Sequence, residues 1–326
     1  MRHPGRLRRS LLMTIVVTPL TACHLPQRVF DPDQYFHDRA VEYVEQGLDE
    51  QALRAFARAI EQNPRLVEAH MGLGAIHQKR GSLVEASNAY RTATELAPMS
   101  FDAHFHLGEV QHLMGRFADA TRAYLQALAI APDDFNTNNS LATVYLQQGR
   151  PGMAIPFAER ATQIAPDDQA AWVNLASALS LDGQLDAAVD AYRHAAELGA
   201  IDAPILLGLA DAHIRLEHYD RARVVLAAQI RQAPSALAHE RMGYVLYKSR
   251  RFEDALEHYQ QAVELAPDDT AALNGLGVSL MTLYLQQHRL VKAHRDGALD
   301  AWRRSLEIDI NQPRIRDLLQ KYTPRG

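Results

Sequence analysis

The sequence predicts an all-α fold in which about eight helical hairpins stack in a row and a last helix caps it. Three observations predict it. Alanine recurs at Ala52, Ala86, Ala120, Ala154, Ala188 and Ala222 with a spacing of 34 residues, then at Ala255 after 33 and at Ala298 after 43. A second column is always small: Ala40, Gly74, Gly108, Ala142, Ala176, Ala210, Gly243 and Gly277. Glycine and proline punctuate the same period, with Gly47, Gly81, Gly115, Gly149 and Gly183 in mid-unit and Pro64, Pro98, Pro132, Pro166, Pro234 and Pro267 at unit ends. A fixed period of this size means one helical unit copied and stacked, because a lone hairpin cannot bury its own apolar face.

Residues 101–134 show how the unit is built. Asp102 lies at the start of the first helix, where a carboxylate suits the unpaired N–H groups and the positive end of the dipole. Leu107, Gly108, Val110 and Gln111 follow along the stripe that faces the second helix. Gly115 stands where the chain must turn, since glycine tolerates the left-handed conformation that ends many helices. Ala120, Tyr124 and Ala127 then share one face of a 3.6-residue helix, and Pro132 cannot continue it. The small columns let paired helices approach closely. Phe56, Tyr90, Tyr124, Tyr192, Tyr259 and Trp302 form an aromatic column expected to pack into the neighbouring hairpin.

These columns resemble the tetratricopeptide repeat (TPR) pattern over residues 33–312. The resemblance implies antiparallel helix pairs in a right-handed superhelical solenoid whose inner groove is lined by the first helix of each pair. The repeats read as 33–66, 67–100, 101–134, 135–168, 169–202, 203–235, 236–269 and 270–312, followed by a capping helix and tail over 313–326. In the cap, Ile315, Leu318, Leu319 and Tyr322 fall at helical spacing, with Arg314, Arg316 and Lys321 turned to water. Two repeats depart from the pattern. The sixth has Glu217 and Gln229 where glycine and alanine are usual, which predicts looser packing. The eighth carries nine extra residues around 283–297, so its helices are expected to lengthen and its hairpin to project, as a docking element or as an extended cap.

Apolar residues make up 47% of the 326-residue chain, enough for a continuous core, and the formal net charge is −5. An acidic chain with no basic block argues against a nucleic-acid partner, because phosphate contacts need clustered Lys and Arg. The single cysteine, Cys23, allows no internal disulfide and no thiol cluster for a metal. It closes a segment with Arg2, Arg6, Arg8 and Arg9, then an apolar run over residues 11–22 that is shorter than the roughly 20 residues needed to span a bilayer. Leu20-Thr21-Ala22-Cys23 resembles the bacterial lipobox. That resemblance implies a signal peptide over residues 1–22, a covalent lipid (palmitate among its chains) on Cys23, and an exported, membrane-anchored protein. His24 after the cysteine implies an outer-membrane address facing the periplasm. An ordinary signal peptide, or a start site placed too early, remains the alternative. The nine residues from His24 to Pro32 reach about 30 Å fully extended, which would hold the repeats close to the membrane.

No catalytic constellation stands out, and the reading is that the chain is not an enzyme. His70, His104 and His239 occupy the fourth position of their repeats, and His77 and His213 the eleventh, columns that in the family hold large packing residues. His104, His106 and His112 lie near Glu109, but His104 and His106 point in different directions on a helix. No metal site and no cofactor is therefore expected. Ser279 lies in Gly277-Val278-Ser279-Leu280-Met281, without the second glycine of a nucleophile elbow.

The groove is the expected site. In the family, contacts come mainly from positions 2, 5, 9 and 12 of the first helices. Those positions give Asp102, Phe105, Glu109, Asn136, Asn139, Thr143 and Val173, then Ser177, Leu207, Asp211, Tyr244, Tyr247 and Asn274. Asparagines there suit a partner's backbone amides, and Phe105, Tyr244 and Tyr247 offer rigid apolar surface. The family's clamp for chaperone C-termini is absent, since repeats 1 to 3 offer His37, Val41, Met71, Asp102 and His106 instead of its Lys, Arg and Asn. The expected function is a membrane-anchored scaffold that binds a protein or extended peptide. The overall plan resembles both pilotin and pilus-assembly lipoproteins and the lipoproteins that bring cell-wall hydrolases together. Self-assembly into a structural array is the third possibility, and the oligomeric state stays open.

Overall fold

The structure, a computed structural model, describes residues 31–324; Cys23 and the segment before it lie outside the described residues. Among the described residues the chain forms seventeen α-helices. Eight first helices are α1 (Pro32–Glu45), α3 (Val67–Lys79), α5 (Phe101–Leu113), α7 (Phe135–Gln147), α9 (Gln169–Asp182), α11 (Ala203–Arg215), α13 (Ala236–Lys248) and α15 (Thr270–Gln286). Each is followed by its second helix: α2 (Asp49–Gln62), α4 (Leu83–Leu96), α6 (Phe117–Ile130), α8 (Pro151–Ile164), α10 (Leu185–Leu198), α12 (Tyr219–Gln232), α14 (Phe252–Leu265) and α16 (Lys292–Ile308). The last helix is α17 (Pro313–Tyr322).

The chain divides into two compact units at Ala69–His70, inside α3. The first unit holds the α1–α2 hairpin, closed over Ala40, Ala52, Ala55, Phe56 and Ala59. In the second unit successive hairpins stack in chain order as a TPR-like solenoid, each second helix touching the next first helix.

Local chemistry explains where the first helices begin. Ser100, Asp134, Asp168, Asp202, Ser235 and Asp269 precede α5, α7, α9, α11, α13 and α15, and each side chain accepts a hydrogen bond from a backbone N–H of the first turn. The cap of α5 is thus Ser100, while Asp102 lies in the first turn, where its charge faces the positive end of the dipole. Every alanine of the 34-residue column is fully buried, from Ala52 through Ala298.

The aromatic column is gripped from two sides. A Cβ on Gly74 would fall 2.6 Å from the Tyr90 ring of its own hairpin, and one on Gly108 equally close to Tyr124. From the following hairpin, the His106 ring stacks on Tyr90 at 5.5 Å between centroids, and Gly208 and Gly275 abut Tyr192 and Tyr259. Burying such a ring contributes about 2–3 kcal/mol, so these tyrosines are principal fasteners between hairpins.

The two irregular repeats accommodate their changes differently. Glu217 adopts the left-handed turn conformation, φ 59°, that glycine takes elsewhere, and Arg250 in the next repeat does the same at φ 60°. Gln229 is 2% exposed; its Nε2 donates to the Ala233 carbonyl, while its Oε1 is buried without a partner. α15 and α16 run 17 residues each, against 13 or 14 in the other hairpins, and Leu290 at their turn is 79% exposed. α17 buries Ile315 against Met281, Tyr284, Leu299 and Trp302, with Leu318, Leu319 and Tyr322 packed around it.

Candidate interaction groove

The first helices of consecutive hairpins touch side by side: α5 with α7, α7 with α9, α9 with α11, and α13 with α15. Their contacts recur at one spacing of 35 residues, one period plus one. His112 donates to Gln147 Oε1 at 2.8 Å, Asn174 to Asn139 Oδ1 at 2.7 Å, and Arg215 to the Ser180 carbonyl. Tyr247 and Thr282 meet at 3.1 Å, and since the Thr282 hydroxyl donates to the Val278 carbonyl, Tyr247 is the donor.

Several residues expected to meet a partner are engaged within the protein. Phe105 stacks on Phe101 at 5.8 Å and packs beside Tyr124. Glu109 accepts from His106 at 2.7 Å. Asn139 and Thr143 both accept from Asn174, Ser177 shares a hydrogen bond with Tyr192, and Leu207 packs against the core around Leu226. Val173 is half-buried, whereas Asp102 and Asn136 are exposed.

Four of the expected residues come together at the C-terminal end of this face. Asp211 and Tyr244 line a cleft of ≈ 420 Å³ with Ser180, Arg215, Glu240 and Arg241. Tyr244, Tyr247 and Asn274 line a larger one of ≈ 620 Å³ with Lys248, Arg314 and Leu318. Glu240 and Tyr244 belong to both, so the two clefts adjoin along the face from α9 to α17.

The polar centre of this groove is a charge relay across hairpins. Arg241 donates from Nε to Asp211 at 2.7 Å and from Nη1 to Glu240 at 2.6 Å. Burial pushes the Glu240 carboxyl above its ordinary range, and the Arg241 charge pulls partly against that rise. Burial works against the Arg241 charge too, but Asp211 and Glu240 outweigh it and hold the guanidinium firmly charged. At the groove's end, Asn274 donates to Gln312 Oε1 at 2.7 Å, and Gln312 is itself anchored to the Ser305 and Asp309 carbonyls. Asn274 therefore ties α15 to the turn before α17, and its Oδ1 is buried without a partner. Lys248 places Nζ 5.6 Å from the centre of the Tyr244 ring.

Sequence reading missed Glu240, although it occupies the fifth position of the seventh repeat, one of the groove columns. It also missed Arg314 and Leu318, which belong to the cap and have no repeat register. The His104 and His112 side chains go to separate partners, His104 donating to the Pro98 carbonyl and His112 to Gln147. Among the described residues no helix is long and apolar enough to cross a membrane.

Models described as tetratricopeptide repeat or TPR repeat match residues 37–87, 79–115, 99–167, 139–203 and 236–269, which together cover more than half of the chain. No curated protein sequence matches it. Among solved structures it is similar in fold to a tetratricopeptide repeat protein from Parabacteroides merdae (15% identity, TM-score 0.52, covering 76% of this chain and 99% of that one). It is similar also to PilF of Pseudomonas aeruginosa (21% identity, TM-score 0.51, covering 64% and 94%). A third likeness is to the Cut9–Hcn1 hetero-tetramer of the APC/C (14% identity, TM-score 0.55, covering 89% and 55%). Repeat columns, hairpin stacking and these matches agree: the chain belongs to the tetratricopeptide repeat family.

Proposed function

We propose that this chain is a non-catalytic adaptor whose first-helix face, from α9 to α17, takes up an extended segment of a protein partner. The observation that carries the reading is the pair of adjoining clefts in which Tyr244 and Tyr247 stand beside the Asp211–Arg241–Glu240 cluster. Aromatic anchors flanked by fixed charges are the usual makings of a binding hot spot, since rigid rings lose little rotamer entropy on contact. The same face offers polar groups already held in place, so a bound segment meets a preorganised surface.

Affinity capture with the full chain tests this, with a Tyr244→Ala/Tyr247→Ala variant as the parallel bait. A partner enriched by the wild type and lost with the variant supports the groove. A partner retained equally by a folded variant overturns it.

The export segment and Leu20-Thr21-Ala22-Cys23 support a finer reading, a lipid anchor on Cys23 and work in assembling an envelope structure such as a pilus or secretion channel. Metabolic labelling with a palmitate analogue tests the anchor. Label that persists in Cys23→Ser, or never appears, would rule it out.

A further inference from the structure

We infer that the cleft between α13, α15 and α17 selects a segment carrying a carboxylate side chain next to apolar ones, an inference that rests on the groove reading above. Two cations carry it. Lys248 and Arg314 line the same ≈ 620 Å³ cleft, and neither has a carboxylate partner among the described residues. The one acid in that lining, Glu240, is already held by Arg241 at 2.6 Å.

Arg39, Arg122 and Arg223 each meet an acid three residues away on their own helix, and Arg251, which precedes α14, meets Asp254 in its first turn. Lys248 instead turns to the Tyr244 ring, and Arg314 stands in the first turn of α17, where the helix dipole disfavours a cation. In a chain of net charge −5, two cations outside any ion pair in one cleft form a local positive field that reaches about one Debye length, roughly 8 Å at physiological salt, with Glu217 the acid that acts on Lys248 from outside the lining.

Beside the cations, Val278, Ile315 and Leu318 supply apolar lining. α17 thus has two roles, burying Ile315 in the core while offering Arg314 and Leu318 to the cleft. A segment alternating acidic and apolar residues in extended form matches this lining, its carboxylates meeting Lys248 and Arg314 and its apolar side chains meeting Leu318 and Val278.

The test uses fluorescence anisotropy with the full chain and three labelled 12-residue peptides of alternating pattern: Asp with Leu, Asn with Leu, and Lys with Leu. The Asp–Leu peptide is expected to bind roughly tenfold more tightly than the Asn–Leu peptide, with the Lys–Leu peptide weakest. The preference should vanish in Lys248→Gln/Arg314→Gln and shrink as salt rises. If Asp–Leu and Asn–Leu peptides bind equally, and both are lost in Tyr244→Ala/Tyr247→Ala, the groove stands and the acidic preference is overturned. If no peptide binds, or binding ignores the tyrosine variant, the groove reading falls and takes this inference with it. Circular dichroism of each variant checks that loss of binding is not loss of fold.

Discussion

Gly275 faces Tyr259 so closely that a Cβ on the glycine would lie 2.1 Å from the ring's Cε1. Gly243 approaches the same ring from the other side, at 3.0 Å for its own added Cβ. The tyrosine is therefore clasped between α13 of its own hairpin and α15 of the next. At 4% exposure it has nowhere to move. Burial raises its hydroxyl far above the usual phenol range, so it stays neutral.

Gly275→Ala should accordingly cost about 2–3 kcal/mol, because the added methyl forces the two hairpins apart. Gly297→Ala is the contrast. Its Cβ would meet only the end of the Leu280 side chain at 3.3 Å, and alanine is the better helix former by about 1 kcal/mol. Urea unfolding should show a lower midpoint for the first and an unchanged or higher one for the second.

Arg241 stands between carboxylates on two hairpins, so its removal exposes both. Glu240 has a side chain only 10% exposed, while Arg241 itself is 33% exposed, so Arg241→Met should cost about 2 kcal/mol at neutral pH rather than the full penalty of a buried pair. The sign of the pH dependence follows from Glu240. Its folded pKa already lies above the ordinary 4.5, and losing Arg241 removes the charge that restrains the rise. A raised carboxyl stabilises the fold below its unfolded pKa and loses that contribution as pH climbs through the folded value. The deficit of Arg241→Met should thus shrink as pH falls toward about 5. Melting curves on Arg241→Met and on Arg241→Met/Glu240→Gln check this, the double variant losing the pH dependence.

His239 and His258 bring their Nδ1 atoms within 3.1 Å, one donating and the other accepting. Burial pushes both rings below the ordinary 6.5, and for His258 the neighbouring His239 adds to the fall while Glu257 and Asp254 oppose it. A base with a depressed folded pKa stabilises the fold above its unfolded value and loses that contribution as pH drops through the folded one. The wild type should melt progressively lower on acidification below 6.5, and His258→Gln should flatten that slope. An unchanged slope in the variant would assign the acid sensitivity to other groups.

The fold was legible because its determinants are local and periodic. Ala120 and Ala154 are buried for the reason their spacing implies, and Gly115 turns at φ 70° as a mid-unit glycine should. The sixth position of the first helices went unread, since Gly208 and Gly275 are glycines while His106 is an aromatic ring; what all three share is the preceding tyrosine they pack against. The groove was legible only in part. Its columns place Asp211, Tyr244, Tyr247 and Asn274 along the clefts, but Asn139 and Thr143 are spent on Asn174 of the next hairpin and Ser177 on Tyr192 of its own. Such pairing depends on which side chain arrives from the next hairpin, information that a single column does not hold. Arg314 reaches the cleft through the path of α17, which has no repeat to register it.

Where the turn glycine is missing, the chain adopts its conformation all the same. Glu217 and Arg250 hold φ of 59° and 60°, close to the 67° to 75° of Gly47, Gly81, Gly115 and Gly149. Both are exposed, and the tight turn, closed by the backbone bonds His218 N–H to His213 O and Arg251 N–H to Leu246 O, fixes the geometry whatever the side chain. A residue with a Cβ costs roughly 1–2 kcal/mol in this region, whereas glycine loses about 0.5–1 kcal/mol more backbone entropy on folding. The first effect wins at a turn already left-handed. Glu217→Gly and Arg250→Gly should each stabilise the protein by about 0.5–1 kcal/mol, and the two should add, since they lie on different hairpins. Gly115→Ala should lose a similar amount for the same reason, with open space around its Cβ ruling out a clash as the cause. Urea midpoints for all three variants decide it: a neutral or destabilising Glu217→Gly would mean that the Glu217 side chain itself contributes to the turn.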